Sequence, residues 1–135
     1  MMSTTGATIF VCVSCRRSSD TAAEGFDRPG GDLSGALQAH IASRGIEGLT
    51  VEPVDCLAVC KRPCTLALKA RGKWTYLIGD LDPAEHVEEI VDAAVSFERS
   101  ETGIVPWKER PPTFRRGVIA RVPPIGFKQP EPETP

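Results

Sequence analysis

Apolar residues fall in short blocks along this chain, and their spacing changes from one block to the next. The first block, "ATIFVCVS" (residues 7–14), is apolar and β-branched and reads as a buried strand. Residues 15–31, "CRRSSDTAAEGFDRPGG", are polar and glycine-rich, which predicts a long loop. In "DLSGALQAHIASRG" the positions Leu33, Ala36, Leu37, His40 and Ile41 recur at helical spacing. Asp32 is placed to cap the N-terminus and Gly45 to end the helix. "LTVEPV" (residues 49–54) predicts a second strand, and Cys56 to Cys60 about one helical turn. "TLALKA" and "WTYLIG" flank "RGK" as a hairpin. Asp82, Pro83 and the stripe Val87, Ile90, Val91 and Ala94 then predict a helix over residues 83–98.

The order β-α-β, loop, β-β-α suits an α/β fold with a mixed four-stranded sheet and flanking helices, one on each side, because the β-α-β unit needs a right-handed crossover. Beyond residue 104 the pattern stops. Residues 105–135 hold eight of the twelve prolines, and residues 105–124 carry five basic residues against one acidic. This divides the chain into a domain over 1–104 and an extended Pro/Arg-rich arm over 105–135, whose acidic end "PEPETP" is expected to be disordered.

At 135 residues, 41% hydrophobic and 25% charged, the chain suffices for one packed core. The net charge of -2 offers no overall field for nucleic acid or acidic lipid. The N-terminal "MMSTTGATIFVCVSC" lacks a basic leader, and no run approaches the roughly 20 apolar residues of a membrane span. A cytoplasmic protein is the expectation. Five cysteines without an export signal point to metal binding or redox work more than to disulfides.

Cys56 and Cys60, four apart, share a face of a helical turn and can offer two thiolates to one centre. Pro63 should end that turn before Cys64. Cys12 and Cys15 face opposite sides of a straight strand, so the chain must turn near Ser14 for both to serve. If it does, the C-x2-C pair at the end of the first strand and the C-x3-C turn after the second can sit side by side as a four-thiolate site. Four thiolates suit structural zinc or an iron–sulfur cluster, and spacing does not choose between them. Arg16, Arg17, Lys61 and Arg62 follow the candidate ligands and would offset their negative charge.

"VDCLAVCKRPCTLALKARGKWTYLIGDLDP" and "FVCVSC" resemble the thioredoxin-like [2Fe-2S] ferredoxins over residues 7–98. To about residue 124 the chain more closely resembles a bacterial family of predicted metal-binding proteins of unknown function, sometimes associated with cobalamin or cobalt metabolism. The resemblance implies a thioredoxin-like fold and a [2Fe-2S] cluster on Cys12, Cys56 and Cys60, with Cys15 as the next ligand and Cys64 in reserve. It also implies an electron carrier rather than an enzyme, a redox partner protein and a homodimer. In the ferredoxins the second ligand lies across a longer loop, so either Cys15 or Cys64 supplies the fourth thiolate here. The alternatives are a zinc- or cobalt-binding protein and a thiol-disulfide protein using Cys12 and Cys15.

His40 and His86 belong to no ligand motif, and Glu85, Glu88, Glu89 and Asp92 read as a solvated helix face. In the arm, Trp107, Phe114 and Phe127 interleave with Lys108, Arg110, Arg115, Arg116 and Arg121. That pattern could grip an anionic ligand or an acidic redox partner, or wrap the sheet edge or a second subunit.

Overall fold

The computed structural model describes residues 6–13, 29–55, 57, 64–83 and 85–128. Among the described residues five strands form one mixed sheet in the order β2-β1-β3-β4-β5. They are β1 (Ala7–Cys12), β2 (Leu49–Val54), β3 (Leu66–Lys69), β4 (Thr75–Ile78) and β5 (Val118–Val122). Only β1 and β2 run parallel; the other pairs are antiparallel. The expected four strands thus gain a fifth from the arm, with one irregularity where β5 passes Leu77 and Ile78.

Helix α1 (Pro29–Ser43) supplies the crossover between β1 and β2. It begins before Asp32, which lies in its first turn. It ends at Gly45, whose φ of 63° lets Gly45 N–H reach Ala42 O and Ile46 N–H reach Ile41 O. Helix α2 (Val87–Arg99) starts four residues later than its apolar stripe and Pro83 predict. Asp82 is not its cap: the Asp82 N–H donates to His86 Nδ1 at 2.8 Å and His86 N–H to Asp82 O, closing a separate turn first.

Both helices lie on the same face of the sheet rather than one on each side. Leu33, Leu37 and Ile41 of α1 and Ile90, Val91, Ala94 and Phe97 of α2 share one core with Ile9, Val11, Leu66, Leu68, Tyr76 and Ile78. A sheet covered on both faces needs nearly continuous apolar strands. Here Thr8, Thr50, Glu52, Lys69 and Thr75 alternate with the core positions, and among the described residues that face carries no helix.

The arm packs onto this core at its β4 side. A 3-10 turn (Trp107–Glu109) and a short helix α3 (Pro112–Arg116) precede β5. Val105 and Phe114 are fully buried beside Tyr76, whose ring meets Phe97 and Phe114 at centroid distances of 6.1 and 6.4 Å. The buried Tyr76 hydroxyl accepts Val105 N–H at 3.0 Å and Arg110 Nη2 at 3.2 Å. A buried donor left without a partner costs about 1–3 kcal/mol. Tyr76→Phe should therefore lower stability by about that amount, read as a lower urea midpoint with an unchanged m-value.

Candidate metal centre

Parallel strands leave a sheet at the same end, and this decides where the cysteines fall. Cys12 closes β1 opposite Val54 of β2, with the two strands in register along their whole length. On its other side Cys12 N–H donates to Thr65 O at 3.0 Å, while Val13 N–H turns back to Val54 O at 2.9 Å. The strand end is held from both neighbours. Cys12 is fully buried, and its Sγ donates to the carbonyl oxygen of Asp55 at 3.9 Å. Asp55 is the residue before Cys56.

Cys15, Cys56 and Cys60 lie outside the described residues, as do most of the loop over 15–31 and the acidic tail. In the sequence Cys15 follows Val13 by two residues and Cys56 follows Asp55 directly. Both segments start from adjacent strand ends. Among the described residues no group of three or more Cys, His, Asp or Glu side chains is placed to hold a metal, since Cys12 is the one predicted primary ligand within them.

Cys64 is on the other side of the sheet. It is fully buried and belongs to the helix-side core with Leu66 and Leu68. Its backbone exchanges hydrogen bonds with Leu81 at 3.4 and 3.2 Å. Cys12 alternates with the core residues Ile9 and Val11 and shares the opposite face with Thr8 and Phe10. In the register of β1 against β3, Cys12 and Cys64 thus fall on opposite faces.

Among the described residues neither histidine joins Cys12 in a group that could hold a metal. His86 Nδ1 is occupied by the Asp82 N–H. His40 is in the last turn of α1, which runs back toward the start of β2 and so away from Cys12. The arm, by contrast, reaches the cysteine end of the sheet. Gly79, just past β4, donates its N–H to Gly117 O at 2.8 Å, and a cleft of about 260 Å³ there is lined by Gly79, His86, Thr113 and Arg116. Position 117 must be glycine, because a Cβ would stand 2.5 Å from Thr113 O and 2.8 Å from Gly79 O. Periodicity could not reveal this approach, since the arm has none.

A family model described as a protein of unknown function, DUF1636, matches residues 9–124. The chain belongs to the DUF1636 family. No curated protein matches this DUF1636 chain significantly. Among solved structures it is similar to a thioredoxin-like [2Fe-2S] ferredoxin from Aquifex aeolicus, with a TM-score of 0.58 and 20% identity over 92% of this chain and 99% of that one. A second structure of the wild-type ferredoxin from the same organism gives a TM-score of 0.54 and 20% identity, over 86% and 98% of the two chains. The fold of this DUF1636 member is therefore thioredoxin-like, as the order of its strands and helices implied.

The position of Cys64 leads to a test. Cys64→Ala should cost about 1–2 kcal/mol through lost core volume, seen as a lower denaturation midpoint, and should leave bound metal unchanged. Loss of metal in that variant would put Cys64 among the ligands.

Proposed function

We propose that the chain is an iron–sulfur electron carrier of the ferredoxin kind, with a [2Fe-2S] cluster held by Cys12, Cys15, Cys56 and Cys60. The observation that carries this reading is the 3.9 Å contact between Cys12 Sγ and Asp55 O, which sets one predicted ligand against the residue preceding another. The likeness to the Aquifex aeolicus ferredoxin supports it at the level of the fold. Cys64, on the opposite sheet face, stays outside the ligand set in this reading.

The residues present suit such a group. Cys12 is shielded from water on a strand end fixed from both sides, so its sulfur is positioned before any metal arrives. Ligation replaces the S–H contact to Asp55 O and releases a proton. Arg16, Arg17, Lys61 and Arg62 lie next to the ligand positions in sequence and would offset the thiolate charge. Helices α1 and α2 both begin at this end of the sheet, which adds the partial positive charge of their N-termini. When bound, the cluster supplies reversible one-electron chemistry.

In this reading the chain catalyses no substrate conversion. It serves a redox partner protein in the cytoplasm and forms a homodimer. Among the described residues no helix is long and apolar enough to cross a membrane.

The deciding experiment is a visible spectrum of protein purified without oxygen, with iron, sulfide, zinc and cobalt counted on the same sample. Charge-transfer bands with about two irons and two sulfides per chain are expected. They should be absent from the Cys12→Ala and Cys56→Ala variants. Stoichiometric zinc or cobalt without sulfide would overturn the reading in favour of a metal-binding protein. No metal even after anaerobic reconstitution would leave thiol chemistry at Cys12 and Cys15.

A further inference from the structure

Trp107 is 59% exposed, although a tryptophan side chain gains much by burial. Its ring is nonetheless held. The guanidinium carbons of Arg110 and Arg115 stand 5.5 and 5.3 Å from its centroid. Arg115 Nη2 donates to Trp107 O at 3.0 Å, and Arg110 Nε to Val105 O at 2.8 Å. Arg110 also bonds the buried Tyr76 hydroxyl, which ties the assembly to the core. An exposed aromatic ordered in advance by arginines loses little freedom when a partner covers it. Tryptophan, tyrosine and arginine are also the residues that most often dominate the energy of protein interfaces.

Charge narrows the choice of partner. Lys108, Arg110, Arg115 and Arg116 face only Glu109 within the segment, and among the described residues none of the four cations forms a salt bridge. Yet the chain as a whole carries a net charge of -2. The patch is a small positive island. On one side it meets the acidic first turn of α2, where Glu89 Oε1 accepts Thr113 N–H at 3.1 Å and Glu88 is exposed.

We infer that this island is a docking surface for an acidic protein partner, with Trp107 as its anchor. A polyanion such as nucleic acid spaces its charges continuously and would run from the island into the carboxylates of α2. A compact acidic patch on a folded protein meets the island alone. The position also suits the candidate centre. α3 leads into Gly117 beside Gly79, at the end of the sheet where Cys12 lies. From β1 to β5 is three strand spacings, about 14 Å. The inference rests on the electron-carrier reading for what the partner does once docked, and not for the docking itself.

The test uses the full chain after anaerobic purification. Two labelled probes are titrated at low salt: a synthetic peptide with a short cluster of glutamate and aspartate residues flanked by neutral ones, and an oligothymidine of equal charge. The peptide should bind the wild type more tightly than the oligothymidine does. Trp107→Ala should weaken peptide binding about tenfold, and Arg115→Glu combined with Arg116→Glu should abolish it. Lys69→Glu combined with Arg71→Glu, which reverses exposed charges elsewhere, should leave it unchanged. Circular dichroism confirms that each variant is folded. Peptide binding indifferent to Trp107 and the arginine pair would overturn the docking surface, and tighter binding of oligothymidine would reassign it to nucleic acid. Iron and sulfide counts on the same samples separate the two readings. Docking without a cluster removes the electron carrier alone, and a cluster without docking removes the surface alone.

Discussion

The end of β1 is pinned by two hydrogen bonds that point in opposite directions, Cys12 N–H to β3 and Val13 N–H to β2. Everything that makes one end of this molecule chemically interesting follows from that pinning. A strand paired on both sides cannot slide without breaking two ladders, and a slip of one residue would swing Cys12 into the helix-side core. The parallel pairing with β2 makes the two loops leave together. The antiparallel pairing with β3 brings Thr65 back to the same level, and the hairpin returns β4 there as Ile78 and Gly79. Cys12 and Asp55, the residue before Cys56, are 43 residues apart along the chain and are thereby brought to neighbouring strand ends.

The second constraint is the buried hydroxyl of Tyr76. A phenol in the core brings a large apolar surface and one polar atom that needs partners. Val105 and Arg110 provide them, and both come from the arm. The arm consequently docks at one point with defined geometry instead of trailing from α2. Phe114 fills the space beside the ring, and β5 then covers the edge of β4 that would otherwise stay open to other chains. Pro123 and Pro124, directly after β5, cannot donate to a further ladder. The edge problem is moved outward and then blunted.

The sequence made the strands, α1 and the stripe of α2 legible because each carries its own period: alternation in "LTVEPV" and i, i+4 spacing at Leu33, Leu37 and Ile41. It misplaced what depends on tertiary partners. The start of α2 shifted because His86 Nδ1 captures the Asp82 N–H, a bond that no apolar pattern signals. The fifth strand was missed because "VIARV" is short and flanked by prolines, and it pairs only because Tyr76 and Phe114 bring the arm back. The one-sided packing of the helices was misread as one helix on each side, because the apolar run of β1 reads as buried on both faces and outweighed the polar Thr8, Thr50 and Glu52. Of the candidate site, the sequence alone identified Cys12 as standing at a strand end. That Cys64 lies on the other face required the register of β3 against β1.

That one-sided packing is also what keeps Cys12 out of the helix-side core. On the helix face, a thiol at this level would lie beneath α1 and α2, surrounded by residues such as Leu33 and Ile90 that have no exposure to solvent. Cys64 occupies that kind of position, and it is suited to packing. Cys12 lies on the face that carries no helix among the described residues, at the end where β1 and β2 leave the sheet. A one-residue difference in strand parity separates the two cysteines. The same alternation that gives the sheet a polar face therefore decides which cysteine joins the helix-side core and which lies on the opposite face.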